Sequence, residues 1–252
     1  MGPIARIRTD LPQKFGIPRN GSLAPHLHGE IRFEPEFASA AAVAGLEEFS
    51  HLWLIWQFEN GLAGETQRVE TTAGLVTGWR MGKRLYRIRL NDPCHMRLDG
   101  TADVDGITYD CAYVELGDPG IPHAAVPIAG LRDYDAAALL RLGRTLRHYP
   151  DFPKGANVNF YEIIGPDHVY ERTYERGVED FTYACGTGTG SVVTVLTLLG
   201  KVSGKHVRVD MTGGTLYVDA ERDAAGRVTD LYLTGPTNVV CKGEITDENL
   251  IL

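Results

Sequence analysis

A helix that is apolar on every side has to be buried, and residues 187–199 spell one. Val192, Val193, Val195, Leu196, Leu198 and Leu199 fall on all faces of a helical wheel, and Gly200 supplies the stop. Such a helix needs a wall around it. The flanking sequence offers short alternating strands: TTAGLVTGW, RLYRIRLN, TYDCAYVELG, AAVPIAG, NVNFYEII and DHVYERTYERG. A meander follows from His206, with turns at Gly213–Gly214 and Ala225–Gly226. A second helical pattern runs from Leu131 to His148, where Leu139, Leu140, Leu142 and Leu146 share a face. The expected class is α+β, with sheets wrapped around a central helix.

Composition narrows the function classes. The 252 residues are 43% apolar and 23% charged, an ordinary globular mix. That length suits one large domain or two small ones. No window reaches the roughly 18 apolar residues of a membrane span, and MGPIARIRTDLPQKFG lacks an apolar signal core. No membrane association and a cytoplasmic location are therefore expected. The net charge of −8 argues against a nucleic-acid partner, which needs a basic face. The cysteines, Cys94, Cys111, Cys185 and Cys241, form no CxxC pair and read as thiols rather than as a zinc or disulfide framework. His26 and His28 have no carboxylate or cysteine cluster beside them, so no metal is expected.

Chemistry concentrates at Ala184-Cys185-Gly186-Thr187-Gly188-Thr189-Gly190. Cys185 stands just before the apolar helix, where unpaired N–H groups and a partial positive charge favour a thiolate. The same N–H groups suit a carboxylate. A thiolate beside a carboxylate cradle is what removal of an α-proton from an amino acid requires. A small buried cysteine in a tight turn would leave the same pattern.

Residues 67–252 resemble the diaminopimelate epimerase family. The resemblance lies in Thr71-Thr72-Ala73-Gly74-Leu75, Gly120-Ile121-Pro122-His123, Phe152-Pro153-Lys154-Gly155-Ala156-Asn157-Val158-Asn159-Phe160, Tyr174-Glu175-Arg176-Gly177, the cysteine turn, Gly213-Gly214 and Leu233-Thr234-Gly235-Pro236. It implies an isomerase of lysine biosynthesis that interconverts LL- and meso-diaminopimelate without pyridoxal phosphate, so no cofactor is expected. It makes Cys185 one of two bases and His123 a histidine near the thiols. It gives Gly186 and Thr187 the reacting carboxylate. Glu175 and Arg176 receive the distal amino and carboxylate groups, and Asn157 becomes a substrate contact. Ile121 stands where the family usually has Asn.

Two departures shape the expectations. The family's first cysteine, in a Cys-Gly-Asn-Gly segment, has no counterpart here. With one base gone, transfer of a proton from one face to the other should fail, unless Cys94 or Cys111 serves as the second base. Cys111 and Cys241 alternate as strand residues and read as core thiols. Residues 1–62 instead resemble the start of a β-barrel family of S-adenosylmethionine-dependent tRNA adenine N6-methyltransferases, through Ile4-Ala5-Arg6-Ile7, Lys14-Phe15-Gly16-Ile17-Pro18-Arg19, Leu23-Ala24-Pro25 and Gly45–Ile55. The expected division is a β-rich segment at 1–66 and an epimerase-like region at 67–252 with a shortened first half. The competing readings are a methyltransferase-like protein and a noncatalytic fusion. Strands at 71–90 without their usual partners would be open edges, so a homodimer is expected.

Overall fold

The computed structural model describes residues 4–6, 30–31, 58, 63–71, 74–237 and 242–243. His26, His28, Cys241 and most of the segment 1–62 lie outside them. Phe58 has helical backbone. The chain forms two compact units, residues 1–88 with 236–252, and residues 89–235.

In the first unit, β1 (Ile4–Arg6) lies parallel to β3 (Thr66–Thr71), which pairs antiparallel with β4 (Gly74–Gly82). β4 also pairs with β5 (Leu85–Arg89). Thus β3 and β4 have neighbours on both sides, and of the open edges expected at 71–90 the part that β4 forms is paired. β2 (Glu30–Ile31) pairs with β17 (Lys242–Gly243). Tyr86 and Ile88 are buried, and the Arg80 guanidinium lies 4.3 Å from the centre of the Phe58 ring.

The second unit carries the chemistry-bearing residues. Its strands are β6 (Pro93–Arg97), β7 (Thr101–Val104), β8 (Ile107–Asp110), β9 (Ala112–Leu116), β10 (Ile121–Pro127), β11 (Asn157–Gly165), β12 (His168–Glu175), β13 (Asp180–Phe181), β14 (Val207–Met211), β15 (Gly214–Arg222) and β16 (Val228–Pro236). The expected strand TYDCAYVELG is broken at Cys111 into β8 and β9, and β7 and β8 form a separate hairpin. The main sheet runs β16-β15-β14-β12-β11-β10-β9-β6, with β13 on β12. Helix α1 (Ala136–Arg147) and helix α2 (Gly186–Leu198) lie against it.

Register sorts the side chains onto two faces, because directly opposite residues point the same way. Val114, His123 and Asn157 form one row, and Ala125, Asn159 and Thr173 the next. This is the α2 face. Tyr113, Ala124, Val158 and Tyr174 alternate onto the other, where α1 packs.

α1 starts later than the leucine pattern suggested, at Ala136, behind a separate 3-10 turn at Leu131–Asp133. The reason is Asp135, whose Oδ1 accepts from Ala138 N at 2.7 Å and caps the helix. Leu139, Leu142 and Leu146 are buried, and Leu140 is half-buried at the margin. A Cβ on Gly143 would come within 2.9 Å of the Tyr174 ring, so the glycine lets α1 settle onto the sheet.

α2 is buried from Thr187 to Thr197, as an all-round apolar helix must be. It touches β9, β10 and β11 on one side and β15 on the other, so the sheet curls around it. A Cβ on Gly190 would meet Leu90 Cδ1 at 2.6 Å. Gly200, at φ 70°, ends the helix as the sequence implied: Gly200 N donates to Thr197 O and Lys201 N to Leu196 O. Arg222 adds a cation there, donating to the carbonyls of Thr197 and Leu198.

Candidate active site

Cys185 is the N-cap of α2, in extended conformation and 1% exposed. Its Sγ lies 3.7 Å from Thr187 Oγ1. Gly213 fixes the preceding segment: its N–H donates to Tyr183 O at 2.8 Å, and a Cβ there would meet that same backbone. Gly188 fixes the following turn. A Cβ on it would overlap Asn159 Oδ1 and lie 3.1 Å from Cys185 Sγ. Gly188 is therefore all that separates the thiol from the Asn159 amide. The first N–H groups of α2, those of Gly186 and Thr187 among them, have no partner within the helix.

The other expected residues gather on the same side. Arg176 N donates to Asn157 Oδ1 at 2.7 Å, and Arg176 Nη1 donates to Lys154 O at 3.1 Å. Glu175 ends β12, and its Oε2 is buried with no hydrogen-bond partner among the described residues. His123 is fully buried, with Nδ1 3.3 Å from Asn159 Nδ2 and Nε2 without a partner among the described residues. Burial, with the Arg176 charge adding to it, pushes the His123 imidazole down to about 3, so it is neutral at neutral pH.

Three buried residues had no role in the sequence reading: Asn159, Thr173 and Glu171. Asn159 Nδ2 donates to Ala124 O at 3.1 Å. Thr173 Oγ1 lies 3.0 Å from Asn159 Oδ1 and 3.2 Å from Glu171 Oε1. Burial pushes the Glu171 carboxyl up to about 8, against hydrogen bonds with Thr189 and Thr173. The signal was present: in HVYERTYE, Glu171 and Thr173 share parity with Val169, which is inward-facing.

The candidate second bases lie elsewhere. Cys111 is fully buried in the apolar cluster with Leu139, Leu142 and Phe152, and burial pushes its thiol up to about 12. That is the opposite of what a base needs. Cys94 sits in β6 at a bulge and donates to Gly117 O at 3.1 Å and Glu115 O at 3.4 Å. Glu115 shares the parity of Tyr113, on the α1 side of β9. It accepts from Tyr113 Oη at 2.7 Å and Lys154 Nζ at 2.8 Å. These bonds outweigh the upward pull of burial and hold its carboxyl below the usual range. The ligand atoms of Cys94, His95 and Glu115 lie within 4.8 Å of one another, a grouping the sequence did not announce. Lys154 already neutralises its carboxylate.

A sheet curled around a buried helix that starts at a cysteine is the fold of the racemase–epimerase class. Solved structures agree on the fold. A probable proline racemase from Agrobacterium radiobacter K84 matches with TM-score 0.55 at 20% identity, over 84% of this chain and 68% of that one. A putative phenazine biosynthesis PhzC/PhzF protein from Clostridium difficile matches with TM-score 0.50 at 12% identity, over 80% and 72%. Residues 117–240 match the family model for diaminopimelate epimerase, and residues 6–84 match that for the tRNA-methyltransferase O N-terminal domain. The diaminopimelate epimerase of Archaeoglobus fulgidus is 32% identical over 94% of this chain and 84% of its own length. Those of Aquifex aeolicus and Chlorobaculum tepidum are 34% and 39% identical, over 77% and 73% of this chain, which spans 66% of each. The chain belongs to the diaminopimelate epimerase family. No helix among the described residues is long and apolar enough to cross a membrane.

Proposed function

We propose that the chain is a cofactor-independent isomerase acting at the α-carbon of an amino acid of the diaminopimelate type, with Cys185 as its base. The observation that carries this is the Cys185 thiol at the N-cap of α2, one glycine away from the Asn159 amide. The thiolate takes the α-proton. The electron pair moves into the substrate carboxylate, which the N–H groups of Gly186 and Thr187 stabilise as charge builds. Arg176 suits a distal carboxylate through its planar fork, and Glu175, with an unpartnered buried oxygen, suits a distal ammonium. Asn157 holds the Arg176 backbone in place.

Inversion needs a second acid on the opposite face of the carbon. Among the described residues Cys111 is sealed in the core and Cys94 sits against Glu115, on the α1 side. Cys185 is then a single base that removes and returns a proton on one face. The test is proton NMR of LL- and meso-diaminopimelate in D₂O with wild type and Cys185→Ala. The expected result is deuterium entering the α-position of one configuration, without interconversion, and silence in Cys185→Ala. No exchange by wild-type protein in either isomer overturns the reading. Interconversion lost in Cys185→Ala would keep the base and refute the one-sided site.

A further inference from the structure

Glu171 is a carboxyl group at 0% exposure in the middle of a sheet. Proton counting shows what state its surroundings require. The Asn159 amide orientation is fixed, because the Ala124 carbonyl at 3.1 Å can only accept and so must face Nδ2. Asn159 Oδ1 is then an acceptor, and Thr173 Oγ1 at 3.0 Å must donate to it. A hydroxyl has one proton, so Thr173 has none left for Glu171 Oε1 at 3.2 Å. On α2, Thr189 donates to Cys185 O at 2.9 Å, and Glu171 Oε2 has no hydrogen-bond partner among the described residues. Both hydroxyl protons are committed elsewhere. Glu171 makes a hydrogen bond here only by donating one, which a neutral carboxylic acid can do and a carboxylate cannot.

At the far end of the chain of contacts, Asn159 Nδ2 faces His123 Nδ1 at 3.3 Å, with Ala124 O at 3.1 Å and Asn157 O at 3.4 Å as its other acceptors. An N–H on Nδ1 would oppose an amide N–H, so Nδ1 carries the lone pair and the proton sits on Nε2. That nitrogen is the buried atom without a partner among the described residues.

We propose that Glu171 is a positioning residue: as a neutral hydrogen-bond donor to Thr173 it locks Thr173, Asn159 and the Nε2–H tautomer of His123. The site thereby presents a neutral imidazole N–H donor to the carboxylate of a bound amino acid. Only this last role rests on the epimerase reading; the tautomer and the protonation of Glu171 belong to the free protein.

The experiment therefore begins without substrate. Infrared difference spectroscopy between wild type and Glu171→Gln at pH 6.5 should show a protonated-carboxyl C=O band lost in the variant. Long-range proton–nitrogen correlation spectra should show His123 in the Nε2–H form. Thr173→Val, near-isosteric and retaining Glu171, should mix the tautomers. Glu171→Leu should do the same, and Glu171→Gln, whose amide can donate, should restore the wild-type pattern. In the exchange assay, Thr173→Val and Glu171→Leu should lower kcat about 10- to 100-fold, the range for loss of an outer hydrogen-bond partner, with KM changing less. Absence of the carboxyl band, an Nδ1–H tautomer in wild type, or failure of Gln to rescue overturns the proposal. Silence of every variant and wild type in the exchange assay, with the two spectra as expected, refutes the epimerase reading instead.

Discussion

The two faces of the main sheet are built from the same strands and are buried to the same degree, yet they hold opposite chemistry. The α1 face collects Val126, Val158, Phe160, Leu139 and Leu142 around Cys111. The α2 face collects His123, Asn159, Thr173 and Glu171, all 1% exposed or less, beside Cys185. Burial alone therefore decides nothing about a cysteine here. What differs is whether alternate residues bring polar partners, and on the proposed function that difference separates an inert thiol from a reactive one.

The comparison can be broken most forcefully with pH. A buried neutral His123 must charge in the unfolded chain, so the unfolded state binds the extra proton between the usual 6.5 and about 3, and stability falls as pH drops through that range. Glu171 acts in the opposite sense. The folded state holds its proton between the usual 4.5 and about 8, so stability falls as pH rises. Each group contributes a slope of about 1.4 kcal/mol per pH unit. Where the windows overlap, from 4.5 to 6.5, the slopes cancel. Thermal unfolding across pH should show the alkaline decline, and Glu171→Gln should remove it; an unchanged decline in that variant contradicts the assignment.

Packing on the α1 face gives the next effect. Leu139→Ala should cost about 2–5 kcal/mol in denaturant unfolding, with the Cys185 chemistry retained in the folded fraction. Gly188→Ala acts on the other face. Its methyl would overlap the Asn159 amide, so a cost of about 1–3 kcal/mol is expected, and alkylation of Cys185 should change as well. Cys111→Ser puts a hydroxyl among apolar side chains and should cost about 1–3 kcal/mol. Cys185→Ser, beside Thr187 Oγ1, should cost less, and equal costs would erase the contrast between the faces. The smallest effect is Asp135→Ala, which removes the α1 cap for about 1 kcal/mol.

Much of this was legible in the sequence, and the reasons are specific. α2 declared itself because no face of it is polar enough for water, and Cys185 because glycines crowd the turn where the helix begins. His123, Asn157, Glu175 and Arg176 came from motif order, and the register brings them together. The rest depended on partners far apart in the chain. Asn159 stood in a quoted segment, but its role appears only when Thr173 lies opposite it. β6 was not expected because Pro93 and a bulge hide its alternation. Within the open edges expected at 71–90, β4 is flanked by β3 and β5, and β3 in turn by Ile4–Arg6, a pairing no local pattern announces.

Arg222 caps the end of α2 remote from Cys185. The helix is 13 residues long, so the two lie roughly 20 Å apart along it, at 1.5 Å per residue. Arg222 is exposed and satisfies carbonyls that the helix itself leaves open, so its work is confined to the last turn. Reversing its charge would set a carboxylate against those carbonyls and fray the final turn, a disturbance that fades along the helix before it reaches the sulfur.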